Sequence, residues 1–327
     1  MLKDQSGRTI DYLRLAITDR CNLRCQYCMP ADGLEWMPRA SLLSYEEIIR
    51  LLGVYHELGI TKLRFTGGEP FLRRDFMKLL ESVVAEKWFD HIAITTNGTL
   101  TSPHIPRLKA LGIGSVNLSL DTLDRERFKL ITRRDDFDAV MNTMHDLISH
   151  DIPIKVNAVI MAGKNEDDII TLSQLTKTKK VDVRFIEEMP FNGKGSNGKL
   201  QWDYKAILEH IGLHFGDLEK LSADRTSTSI NYRIQGHAGT IGVIPAWSRT
   251  FCGTCNRIRL TPQGIMKTCL YSGSGIDLKK MLREGLSNES LKLEIQSAVF
   301  HKEKDGFEAE KLRGDHTITE SMSTIGG

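Results

Sequence analysis

The sequence predicts an α/β fold, an incomplete (β/α)6 TIM-like barrel followed by a C-terminal α+β region, and three observations carry the prediction. From residue 12 to about 190, short β-branched runs alternate with longer amphipathic segments, as parallel βα units do. Only six such units can be counted, too few for a complete eight-unit barrel. After Pro190 the alternation stops at Phe191-Asn192-Gly193-Lys194-Gly195-Ser196-Asn197-Gly198, a glycine-rich polar connector without periodicity. The expected domains are therefore 1–190 and 191–327.

Within the first domain the strands are expected at Tyr12–Thr18, Lys62–Thr66, His91–Thr96, Ser115–Asp121, Pro153–Ile160 and Val181–Glu187. Ser44-Tyr45-Glu46-Glu47 is a capping box, in which Ser44 accepts from the Glu47 amide and Glu47 reaches back. It opens a helix through Leu58 that Gly59 stops. Further helices are expected over 75–87, 103–111, 137–149 and 166–177. Right-handed crossovers place all the carboxyl ends of parallel strands on one side, so the chemistry is expected at those ends. The second domain offers a helix over 204–210, strands over 230–234 and 240–244, and helices over 276–284 and 289–300.

The chain has 327 residues and a net charge of +2. Near-neutrality argues against wholesale binding of nucleic acid or of an acidic membrane and leaves room for a local basic pocket. No apolar run reaches membrane-spanning length, and residues 1–8 lack the hydrophobic core of a signal peptide, so a cytoplasmic location is expected. All six cysteines fall into two local triplets, Cys21, Cys25, Cys28 and Cys252, Cys255, Cys269. In a reducing compartment such clusters read as metal ligands rather than as a disulfide framework. Each triplet is one thiolate short of a closed zinc or iron–sulfur site, which leaves a position for another ligand.

Other motifs gather at the expected strand ends. Thr66-Gly67-Gly68-Glu69-Pro70 reads as a strand-to-helix turn whose paired glycines let backbone groups approach a ligand closely. Thr95-Thr96-Asn97-Gly98, Ser119-Leu120-Asp121 and Glu188-Met189-Pro190 bring small polar side chains to the same rim, each of which alone reads as a turn or capping residue. Cys252-Gly253-Thr254-Cys255 is followed by Asn256-Arg257-Ile258-Arg259-Leu260 and then by Cys269. A zinc ribbon would pair one Cys-x2-Cys with another, and only Cys269 answers. Arg257 and Arg259 are two apart on an expected strand, so both guanidiniums leave one face and offer a phosphate-binding fork.

The first loop, Cys-x3-Cys-x2-Cys with Tyr27 before its last cysteine, together with Gly-Gly-Glu-Pro, resembles the radical S-adenosylmethionine enzymes. Cys-Gly-Thr-Cys-Asn-Arg-Ile-Arg-Leu, a cysteine fourteen residues on and the terminal Gly326-Gly327 narrow the resemblance to the GTP 3′,8-cyclase family of molybdenum cofactor biosynthesis. The resemblance implies two [4Fe-4S] clusters, one on Cys21, Cys25 and Cys28 and an auxiliary one on Cys252, Cys255 and Cys269, whose free iron takes the guanine. It implies S-adenosylmethionine along Tyr27, Gly68, Ser119 and Met189, and GTP along Arg14, Lys62, Arg64, Thr95, Lys155, Arg184, Arg257, Ile258 and Arg259. Catalysis would depend on Arg14, Arg257, Arg259, Gly326 and Gly327, with the glycine tail entering the cavity although chain ends ordinarily fray. A 5′-deoxyadenosyl radical would take hydrogen from the ribose C3′ of GTP, and that carbon would close onto guanine C8. The implied partners are GTP, an external electron donor and cyclic pyranopterin monophosphate synthase as recipient of the product, with a homodimer as the assembly. Glu188 departs from the apolar residue the family places before Met189. Two other readings stand beside this one: a radical enzyme with an auxiliary cluster acting on a peptide or another small molecule, and a zinc-stabilised binding module without catalysis.

Overall fold

The computed structural model describes residues 1–189, 200–222, 224–273, 275–313 and 321–326. In chain order the strands are β1 (Leu2–Lys3), β2 (Thr9–Ile10), β3 (Tyr12–Ala16), β4 (Lys62–Thr66), β5 (His91–Thr96), β6 (Ser115–Ser119), β7 (Ile154–Ile160), β8 (Asp182–Glu187), β9 (Leu218–Lys220), β10 (Ile230–Ile234), β11 (Thr240–Ile244), β12 (Arg257–Leu260), β13 (Ile265–Lys267) and β14 (Ile276–Asp277). The six strands read from the sequence are β3 to β8, with ends within two residues of expectation. The capping box forms as read: Ser44 Oγ accepts from the Glu47 amide at 3.1 Å, and Glu47 accepts from the Ser44 amide at 2.7 Å. The helix it opens runs Tyr45–Glu57.

By internal contacts the chain forms two compact units, and both draw on separate stretches of sequence. The first comprises residues 1–22, 34–95 and 252–327, the second residues 23–33 and 96–251. In the first unit the strands lie in the order β14-β13-β12-β3-β4-β5, with β12, β3, β4 and β5 parallel and β13 and β14 antiparallel to their neighbours. In the second the order is β6-β7-β8-β11-β10-β9, with β6, β7, β8 and β11 parallel and β10 and β9 antiparallel. Two strands of the C-terminal region thus extend parallel sheets: β12 on β3 and β11 on β8. The physical reason is the same in each case, since a buried parallel strand with an unpaired edge is costly. The connector expected over 191–198 and the boundary at 190/191 lie outside the described residues.

Strand alternation divides the faces of the first unit. Leu13, Leu15, Leu63 and Phe65 are fully buried on one side, whereas Tyr12, Arg14, Lys62 and Arg64 leave the other and are half-buried. In the second unit β7 alternates in the same way, with Ile154, Val156, Ala158 and Ile160 buried and Lys155 and Asn157 on the opposite face. Among the described residues no helix is long and apolar enough to cross a membrane.

Candidate active site

The register of the first unit brings cations from distant parts of the chain into rows. Arg259 on β12 stands opposite Arg14 on β3, and Arg14 stands opposite Arg64 on β4. One step back, Arg257, Tyr12 and Lys62 form a second row on the same face. Arg64 lies 5.5 Å from the Tyr12 ring centroid, a cation–π contact, and Lys62 pairs with Asp11 at 3.3 Å. Burial, then Arg64 and Arg259, with Arg257 adding to them, pushes Arg14 well below the ordinary arginine range, and only Tyr12 opposes. Burial and Arg257 likewise push Arg259 down to about 10, against Cys255, Cys269 and Tyr271. Guanidiniums stay charged, so the shifts reflect first the cost of burying these cations and then their mutual repulsion, both of which a polyanion would offset. Arg14 Nε and the Thr95 hydroxyl are buried and have no hydrogen-bond partner among the described residues. Ile258, between the two arginines, is fully buried on the opposite face.

The glycine tail reaches this row. Gly326 is buried, its carbonyl accepts from Arg259 Nη1, and a Cβ there would sit 2.9 Å from Thr66 Cγ2 and 3.1 Å from Ala16 Cβ. Its φ of +79° adds a second reason for glycine. Ser321 caps the short helix Met322–Ile325 that delivers it. Gly327 lies outside the described residues.

Cys252, Cys255 and Cys269 all belong to the first unit. Cys252 and Cys255 are linked by a tight turn in which the Cys255 amide donates to the Cys252 carbonyl at 3.2 Å, and Cys269 follows β13. Burial pushes the Cys255 thiol up, but Lys302 and Arg257 outweigh it and bring it down to about 6. Burial holds Cys269 above the usual thiol range against the pull of Lys302. Among the described residues no three His, Cys, Asp or Glu side chains converge to hold a single metal ion. The donor chemistry fits an iron–sulfur cluster: three reduced thiols, two on one turn and the third beyond the β12–β13 hairpin, beside cations that favour thiolate.

The first cysteine loop divides differently, with Cys21 in the first unit and Cys25 and Cys28 in the second. Cys28 and Met29 amides both donate to the Cys25 carbonyl, at 3.0 and 3.1 Å, so the last two cysteines share one helical turn. A helix the sequence reading missed, Arg125–Thr132, anchors this turn: Arg24 and Gln26 amides donate to the carbonyls of Thr132 and Ile131. Arg133, in left-handed conformation, donates to the Arg24 and Met29 carbonyls. Tyr27 hydrogen-bonds the Asp121 carboxyl, which also accepts from the Val159 amide at 2.8 Å. Cys25 and Cys28 are soft donors of the kind that suit a thiolate-bound cluster.

Gly67 and Gly68 are held against neighbouring backbone. A Cβ at Gly67 would meet the Thr18 carbonyl oxygen at 2.5 Å, and one at Gly68 would meet that of Arg20 at 2.1 Å. The Gly68 and Glu69 amides donate to those same carbonyls. The glycine pair therefore presses against the backbone that leads into Cys21. In the second unit Ser119, Asn157 and Arg184 stand in one row across β6, β7 and β8, with Lys155 in the row behind and opposite Asp182. Arg184 is paired with Asp182 at 2.6 Å. Met189 and Glu188 lie just past β8, which ends at Glu187, so Glu188 does not occupy a strand position. Asn157 was not foreseen. Its buried Oδ1 has no hydrogen-bond partner among the described residues, and the signal was its alternation with Lys155 in Ile-Lys-Val-Asn-Ala-Val-Ile.

Comparison with known proteins places this geometry. The model for the radical SAM superfamily matches residues 15–176, and that for molybdenum cofactor synthesis C matches residues 181–308. The mitochondrial GTP 3′,8-cyclase of Arabidopsis thaliana is 40% identical over 328 residues, covering 100% of this chain and 84% of that protein. The GTP 3′,8-cyclase of Clostridium perfringens is 37% identical over 328 residues, with 100% of both covered. The chain belongs to the GTP 3′,8-cyclase family. It also matches molybdenum cofactor biosynthesis protein 1 of Homo sapiens, 40% identical over 304 residues, covering 93% of this chain and 48% of that protein. The chain thus spans about half the length of that relative. Among solved structures, Streptococcus suis SuiB aligns with a TM-score of 0.63 over 95% of this chain and 69% of its own, at 14% identity, a likeness of fold alone. The arginine rows are the feature that the fold shared with SuiB does not by itself explain.

Proposed function

We propose that this chain converts GTP to (8S)-3′,8-cyclo-7,8-dihydroguanosine 5′-triphosphate, an early step of molybdenum cofactor biosynthesis. The observation that carries the reading is the cationic face of β12, β3 and β4, where Arg259, Arg14 and Arg64 stand abreast with Arg257 and Lys62 behind them. A triphosphate supplies the negative charge that such a face is missing. The first cluster and S-adenosylmethionine would supply, when bound, one-electron reduction and abstraction of the ribose C3′ hydrogen, so that C3′ bonds to guanine C8, and a second electron from the external donor with a proton at guanine N7 would complete the dihydro product. The chain holds, orients and excludes water. Arg14, Lys62, Arg64, Arg257 and Arg259 take the phosphates, Thr95 offers its unsatisfied hydroxyl to the nucleotide, Lys155 and Arg184 are further GTP contacts, and Ile258, whose side chain leaves the opposite face, contributes through its backbone. Gly326 holds Arg259 by its carbonyl, with Gly327 completing the tail. Tyr27, Gly68, Ser119 and Met189 receive S-adenosylmethionine. Cys21, Cys25 and Cys28 carry the first cluster, and Cys252, Cys255 and Cys269 carry the second, at the guanine.

On this reading the enzyme works in a reducing compartment such as the cytoplasm, takes electrons from an external donor, and passes its product to cyclic pyranopterin monophosphate synthase. The test is anaerobic incubation of iron-loaded protein with dithionite, S-adenosylmethionine and GTP. Equimolar 5′-deoxyadenosine and a GTP isomer of unchanged mass are expected. Cleavage of S-adenosylmethionine that leaves GTP intact would assign the chain to another radical reaction.

A further inference from the structure

The Lys302 side chain is fully buried, although lysine is among the residues least often found inside. It lies just beyond the helix Asn288–Phe300, and its ammonium donates to two backbone carbonyls, that of Arg257 at 3.2 Å and that of Thr268. Arg257 follows Cys255 by two residues, and Thr268 immediately precedes Cys269. One nitrogen therefore joins the two separate stretches of chain that present these thiols. It also acts electrostatically on both of them.

The next residues complete the same structure. Glu303 accepts from the Thr268 hydroxyl at 2.9 Å. Arg8 donates to the Cys252 carbonyl at 2.9 Å and to the carbonyls of Glu303 and Lys304 at 2.6 Å each. Arg8 has its own counterion in Asp4, at 2.5 Å. Among the described residues Lys302 has only neutral carbonyls as hydrogen-bond partners, and a buried ammonium costs several kcal/mol unless an anion faces it. The Glu303 carboxylate lies nearby on the Thr268 hydroxyl, and the remaining negative charge would be that of the cysteine thiolates. A four-iron cluster held by three thiolates carries net negative charge, and reduction adds one unit more, so an adjacent buried cation favours the reduced form.

We propose that Lys302 is a positioning residue for the second cysteine triplet, tying Cys255 to Cys269 and raising the reduction potential of the cluster they hold. The proposal rests on the reading of Cys252, Cys255 and Cys269 as an iron–sulfur site. It is tested in anaerobically reconstituted full-length protein by electron paramagnetic resonance titration against potential. The second-cluster signal is the one abolished by Cys269→Ala, and the remaining signal serves as an internal reference.

Lys302→Gln keeps an amide able to donate to the carbonyls and removes the charge, Lys302→Met removes both, and Lys302→Arg keeps the charge. At the wild-type midpoint, the reduced-to-oxidised ratio of the second cluster should fall about tenfold in Lys302→Gln, about 59 mV for one electron. In Lys302→Arg it should stay within about threefold, and the first-cluster signal should not move in either variant. Lys302→Met should show the same fall as Lys302→Gln together with lower iron content at the second site. An unchanged potential in Lys302→Gln, or an equal fall in Lys302→Arg, overturns the proposal while leaving the two-cluster reading intact. Absence of any signal dependent on Cys269 in the wild type overturns both.

Discussion

Asp121 shows how a single carboxyl can carry information that no motif announces. It is 4% exposed, and burial holds its pKa up at about 7, against the hydrogen bonds from the Val159 amide and Tyr27. Its ordinary value is 3.8, so the folded protein binds this proton more tightly than the unfolded chain does. The corresponding stability is fully present below pH 3.8 and is lost as pH rises to about 7. Asp121→Asn keeps an acceptor for Tyr27 and cannot ionise. Its stability relative to wild type should therefore increase from pH 5 to pH 8, by about 4 kcal/mol at most over the full window. Urea titrations at both pH values check this, and a difference independent of pH would contradict it. From sequence, Asp121 was legible only as a polar residue at a strand end. Its partner Tyr27 is 94 positions away in the chain, and burial of that kind leaves no local pattern.

At the level of elements, the alternation of Lys62 and Arg64 along β4 was readable, as was that of Arg257 and Arg259 along β12, because a strand has period two. What could not be read was the register that sets Arg259 beside Arg14 and Arg14 beside Arg64, since it depends on pairing between strands nearly 250 residues apart. The same limit hid the helix Arg125–Thr132, whose charged surface gives it little apolar signal and whose role is to hold the first cysteine loop. The arginine row implies an exchange of stability for binding. Each guanidinium repels its neighbours in the absence of nucleotide. Arg14→Met should then raise the unfolding free energy of nucleotide-free protein by about 1 kcal/mol while GTP affinity falls at least tenfold. Lys62→Met should bring no such gain, because Lys62 already has Asp11 at 3.3 Å. Calorimetric GTP titration and thermal melts separate the two effects, and a destabilised Arg14→Met protein would show that the row is held by contacts rather than strained by charge.

For the molecule as a whole, the order of the chain and the order of assembly diverge. The first unit cannot be completed until residues 252–327 exist, because β12 covers the edge of β3 through the pairs Arg257 with Tyr12 and Leu260 with Leu15. Those C-terminal residues also bring Cys252, Cys255 and Cys269, Lys302 and the tail that ends on Arg259. Sequence periodicity identified the βα units because they are local, and assigned the C-terminal strands to a region of their own because nothing local ties β12 to β3. Truncation at residue 251 would expose the edge of β3 and the apolar side of Leu13 and Leu15, both fully buried in the intact chain. An exposed hydrophobic strand edge of that kind templates aggregation. The 1–251 fragment should therefore lose its cooperative urea transition and protection of the β3 and β4 amides from hydrogen exchange. Co-expression with residues 252–327 should restore both. A fragment that kept native-like protection in β3 and β4 on its own would mean that the first unit is specified by its N-terminal half, and that the auxiliary cysteines are added to a sheet already formed.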